Sequence, residues 1–158
     1  MSIFRIGTLI AILGVLLIVG GVAAYFLDQN SYKAPLDVEV FPGAEAWGNA
    51  RETNASRRSL FLTSNASPEE VAAYYEEKLR ALDGTDQRCQ RIPAIGEIKT
   101  AATDRTVVPY WYICLFQRTS LNVSQQTTVT IQPGVFNANP DLNTEGMTVI
   151  EHSQRWQP

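Results

Sequence analysis

The chain has 158 residues, a formal net charge of −3 and a single histidine, His152. An acidic balance in which arginines are interspersed with acids argues against nucleic-acid binding, and one histidine excludes a metal site built from several imidazoles. The apolar residues are unevenly spread, and their concentration near the N-terminus sets the first element.

After residues 1–5, which include Arg5, the run from Ile6 to Leu27 carries no charge. As a helix it is about 33 Å long against a hydrocarbon core of about 30 Å, which predicts one transmembrane helix. Val22-Ala23-Ala24 matches a secretory cleavage site, but a signal peptide has an apolar core of only about 7–15 residues. The run is therefore read as an uncleaved signal anchor. No cysteine stands at its end to accept a lipid. Arg5 and the amino terminus flank one side, and Lys33 flanks the other among Asp28, Asp37 and Glu39. This bias predicts a single-pass protein of a bacterial cell membrane, N-terminus cytoplasmic and C-terminal domain extracytoplasmic. Gly7, Ala11, Gly14, Ile18 and Gly21 share one helical stripe, and its four small residues, Gly7, Ala11, Gly14 and Gly21, let a second helix approach closely. Glycine is also common in membrane helices, so the stripe alone does not decide between packing and composition.

Residues 28–36 are polar and broken by Pro35, which reads as a linker to one folded domain over 37–158. Asp37 to Phe41 alternates polar and apolar and predicts a strand ending at a Pro42-Gly43 turn. Arg58 to Thr63 is a second strand. Ser67-Pro68-Glu69-Glu70 has the residues of a capping box, and Val71, Tyr74, Tyr75, Leu79 and Leu82 follow at helical spacing up to Gly84. The segment 85–106 is irregular, with a short strand near Cys89. Val107 to Phe116 is apolar on both alternating faces, the pattern of a strand buried on both sides. Gln126 to Gln132 and Met147 to Gln154 complete a β-β-α-β-β-β order. The fold class is α+β, a mostly antiparallel sheet with one long helix packed on it.

One helix covers one sheet face, and something else must cover the other. The candidates are the chain's own 85–106 or 134–146 segments, or a partner protein engaging Tyr110, Trp111, Tyr112, Ile113, Leu115 and Phe116. Cys89 and Cys114, an even pair in an exported domain, read as one disulfide, with two buried free thiols in a cytosolic domain as the alternative. His152 lies in a terminal strand without a nucleophile motif and reads as structural. The sequence has no glycine-rich phosphate loop and no paired acids on one helix face, and no cofactor is expected. Asn54, Asn65 and Asn122 begin glycosylation sequons, which chance explains in a chain so rich in Asn and Ser.

Val40-Phe41-Pro42-Gly43-Ala44, Ser67-Pro68-Glu69-Glu70-Val71 and Ala73-Tyr74-Tyr75-Glu76-Glu77-Lys78-Leu79 resemble short membrane-anchored extracytoplasmic domains of filamentous green non-sulfur bacteria. The resemblance implies an envelope protein and supplies no catalytic residue. The expected function is a non-catalytic, single-span accessory subunit of a larger membrane complex, respiratory or photosynthetic, with lipid and other transmembrane subunits as partners. The alternative is a free-standing envelope domain that binds a small molecule, peptide or cell-wall component.

Overall fold

The computed structural model describes the backbone of residues 3–83, 88–120 and 123–158, and the side chains of these apart from residues 3–9, Ala11 and Asp83. The first element is helix α1, Ile3–Ser31, about 44 Å long at the usual rise. Within it, Ile12–Ser31 is long and apolar enough to cross a membrane, and none of that stretch is buried against the rest of the chain.

The rest is a seven-stranded antiparallel sheet with one helix. Its strands are β1 (Glu45–Ala46), β2 (Arg51–Glu52), β3 (Ser56–Thr63), β4 (Gln90–Ile92), β5 (Trp111–Ser120), β6 (Val123–Pro133) and β7 (Thr148–Arg155). They are ordered β1-β3-β7-β6-β5-β4, with β2 also paired to β3. Helix α2, Pro68–Asp83, lies across β5 and β6. Its start is the anticipated capping box: Glu70 Oε2 accepts from the Ser67 N–H at 2.8 Å, and Ser67 Oγ accepts from the Glu70 N–H at 3.3 Å. The Ser67 N–H and hydroxyl, both donating to its Oε2, hold the Glu70 carboxyl below its ordinary pKa. Gly84, the expected C-terminal stop, lies outside the described residues.

The pleat decides the core. Cys114, Val129 and His152 occupy one cross-strand row, and Tyr112, Ile131, Ile150 and Phe61 the next, all on the α2 side. Against them α2 sets Val71, Ala72, Tyr75 and Leu79, each almost inaccessible to water. The disulfide Cys89–Cys114 ties the segment before β4 to this core. Closing that loop restricts the unfolded chain by about 3.5 kcal/mol in the entropic account.

Two expectations need correction. Asp37 to Phe41 is no strand. Its alternation is real, since Val38 enters the core and Phe41 stacks edge-on to Tyr74 at 5.3 Å while Glu39 reaches out to Lys78. Its backbone, however, is satisfied by side chains and not by a ladder: the Leu36 carbonyl accepts from Thr127 Oγ1 at 2.8 Å and Gln154 Nε2 at 2.9 Å, and the Phe41 N–H donates to Tyr75 Oη at 3.1 Å. The segment is a strap laid over the sheet beside α2. Nor are residues 28–36 a free linker. Asp28 to Ser31 continue α1, and Tyr32 is only 2% exposed. The turn after the strap agrees with expectation: Gly43 has φ +80°, and the Ala44 N–H donates to the Phe41 carbonyl at 3.0 Å.

Candidate functional site

The joint between α1 and the sheet is built from side chains distant in sequence. Asp28, in the last turn of the helix, receives Arg118 at 2.9 Å and Ser120 Oγ at 3.0 Å, both from the end of β5. Gln125 Nε2, at the start of β6, donates to the carbonyls of Ser31 and Ala34. Tyr32 lies under the Arg118 guanidinium, 4.9 Å from ring centre to cation, and its carbonyl accepts from the Gln157 N–H at 3.1 Å. Arg118 and Asp28 are both partly solvated, so their ion pair alone adds little. Together with the buried Tyr32 and the Gln125 bonds it fixes where the helix leaves the domain.

Along α1 the large apolar side chains are bare: Leu16, Leu17, Ile18 and Phe26 are each more than 60% exposed. A Cβ added at Gly14, Gly20 or Gly21 meets nothing within 4 Å. Gly7 and Ala11 belong to the same helix, but their surroundings lie outside what the structure describes.

The aromatic stretch divides between the two faces of the sheet. Phe116, 2% exposed, is a core residue under α2, which removes it from any partner surface. Tyr112 packs against the same core and sends its hydroxyl to Glu69 at 3.4 Å. Tyr110 precedes β5 and sits under the Arg91 guanidinium at 4.3 Å; burial, then the nearby Glu69 carboxylate, pushes its phenol up to about 12. Only Trp111, Ile113 and Leu115 point to the other face, where Leu115 is 41% exposed. Tyr74 and Tyr75 are therefore on the opposite side of the sheet from Trp111, which keeps the three from lining a common pocket.

His152 is 3% exposed, and its Nε2 lies 2.9 Å from Tyr75 Oη. The same Tyr75 oxygen accepts from the Phe41 N–H, so one hydroxyl joins the strap, α2 and β7. Burial depresses the imidazole pKa to about 4, opposed weakly by the charge of Asp37. The same burial raises the Tyr75 phenol well above its ordinary value. The pair pins the strap to α2 and the sheet. Among the described residues no group of three or more metal-binding side chains converges.

On the face away from α2 the segment 134–146 folds back toward the sheet. It is held by its own asparagines: Asn137, Asn139 and Asn143 each accept from backbone N–H groups of the loop, and Arg105 binds Glu145 while lying over the Phe136 ring. Its entry requires Gly134, where a Cβ would stand 1.7 Å from the Thr144 carbonyl oxygen. Between this loop and the 47–51 segment lies an open concavity of about 440 Å³, floored by Arg58 and Leu60 and walled by Trp47, Arg51, Asp141 and Leu142.

The chain matches no protein-family model, no curated protein and no solved structure.

The concavity is the feature that sequence reading passed over. In sequence Arg51 and Arg58 are two of the arginines interspersed with acids. Only the strand register, which sets them directly opposite each other, and the return of the 134–146 loop bring them to a common surface with Trp47.

Proposed function

We propose that the chain is a non-catalytic, single-span accessory subunit of a larger bacterial membrane complex, with α1 in the bilayer, its N-terminus in the cytoplasm and the sheet domain outside. The observation that carries this reading is the joint: α1 runs without a break into the clamp of Asp28, Tyr32, Arg118 and Gln125. A mere tether needs no such clamp. A subunit whose helix and domain meet the same assembly needs both in fixed relation.

Two further features support it. Gly14 and Gly21 relieve no crowding within the chain, which leaves their side of the helix open to close approach by a neighbouring helix. The disulfide suits an oxidising compartment, in agreement with the charge bias across the helix. Trp111, Ile113 and Leu115 offer the domain's own apolar contribution to such an interface.

Solubilising native membranes in a mild detergent and sizing the particle tests the reading. The expected result is a particle larger than one chain, containing defined partners in fixed ratio. A monomer without partners contradicts it.

A further inference from the structure

We propose that the concavity between Trp47 and Leu142 is a binding site for a neutral saccharide. This goes beyond the subunit reading and does not depend on it.

The argument starts from an electrostatic conflict. Arg51 and Arg58 are direct cross-strand partners, and like charges at such positions repel. Arg58 is relieved by Glu151 on β7, at 2.6 Å, which fixes its guanidinium and raises its pKa. Arg51 has no ion pair among the described residues. Asp141, on the opposite wall, has no ion pair there either, and the two do not meet each other across the gap. Arg58 is neutralised by Glu151 from outside the lining, and Arg51 is balanced by Asp141 on the opposite wall, so the site as a whole is close to neutral. An anion would gain from Arg51 and lose against Asp141, and a cation the reverse. What suits the lining is an uncharged ligand that both accepts and donates hydrogen bonds at several points.

The apolar components narrow the class. Trp47 is half-buried, and it shares the sheet face of Leu60, whose carbonyl accepts its N–H at 2.8 Å. Leu142 is 50% exposed on the facing wall. An indole plate with leucines beside it, ringed by guanidinium, amide and carboxylate groups, fits a pyranose ring: its C–H face lies on the indole while hydroxyls accept from Arg51 and donate to Asp141. The volume lies in the range of small-molecule sites, roughly 300–1,000 Å³. The walls are also preformed. The asparagine bonds and the Arg105–Glu145 pair hold the 134–146 loop, and the Thr53 Oγ1 bonds to the N–H groups of Ala55 and Ser56 hold the turn between β2 and β3. Little ordering is left to be done on binding.

The test is calorimetric titration of the full chain in lipid nanodiscs, free of sugar-based detergent, with cellotriose, chitotriose and maltotriose, and with benzoate as an aromatic anion. At least one trisaccharide is expected to saturate. Trp47→Ala should abolish binding, and the exposed changes Arg51→Gln and Asp141→Asn should each weaken it at least ten-fold with the unfolding temperature unchanged. If none of the three sugars saturates, if Trp47→Ala still binds, or if benzoate binds more tightly than every sugar, the proposal is overturned. A chain that binds the sugar but sizes as a lone monomer would overturn the subunit reading and leave this one standing.

Discussion

The two helices of this chain are treated in opposite ways. Helix α2 is amphipathic: Val71, Tyr75 and Leu79 lie on one stripe at 0–2% exposure, while Glu77 and Arg80 face water. Helix α1 is apolar around its circumference, and the fold buries none of its Ile12–Ser31 stretch. A helix apolar on every side has no stable place on a water-soluble domain. The contrast teaches that the core of the sheet is closed by α2 and the strap, while α1 meets the domain through its last turn and its apolar length is left bare by the fold.

The sharpest way to break that contrast is to truncate one leucine on each helix. Leu79→Ala should cost about 2–5 kcal/mol, because a fully buried side chain leaves a cavity behind. Leu17→Ala, at 68% exposure, should leave domain unfolding within about 0.5 kcal/mol of wild type. Thermal unfolding followed by near-ultraviolet circular dichroism measures both, and equal effects would erase the distinction.

A smaller effect comes from the seam that closes the sheet. His152 has its pKa depressed from 6.5 to about 4, so the unfolded chain binds the proton more readily. Stability should be complete above pH 6.5 and fall as the pH drops toward 4, by roughly 3 kcal/mol in all. The carboxyls of Glu39, Glu70 and Asp104 are held low by their hydrogen-bond partners, and act below about pH 4.5. The slope between pH 4.5 and 6.5 therefore belongs to the histidine, and it should vanish in His152→Gln. Smallest in energy is Arg118→Ala. An exposed pair of this kind is worth about 0–1 kcal/mol, yet its loss should broaden the distance distribution between spin labels on α1 and β6. An unchanged distribution would mean that Tyr32 and Gln125 suffice for the clamp.

What was legible in the sequence followed from local chemistry. The capping box, the Pro42-Gly43 turn, the disulfide and the apolar run depend on residues near one another or on a pairing with no competitor. Asp37 to Phe41 misled because period-two alternation reports two environments and not a ladder. Here the environments are a helix-sheet seam on one side and water on the other. Residues 28–36 misled because a polar composition suits a spacer and a docked segment alike. Whether Gln125, Thr127 and Gln154 will reach its carbonyls depends on the register of β6 and β7. Phe116 stands among the candidate partner residues because a strand apolar on both faces does not say which face lies under the helix. The Trp47 concavity is assembled from three separate segments and carries no local signature at all.

The central claim is that α1 is an interface as well as an anchor, and the double change Gly14→Leu, Gly21→Leu tests it most directly. Both positions are open within the chain, so the domain should unfold as before. In native membranes solubilised in mild detergent, the wild-type chain should run in a larger particle and the double variant should run alone. If the variant stays in the same particle as wild type, or if wild type is itself a monomer, α1 is a tether and the account is wrong.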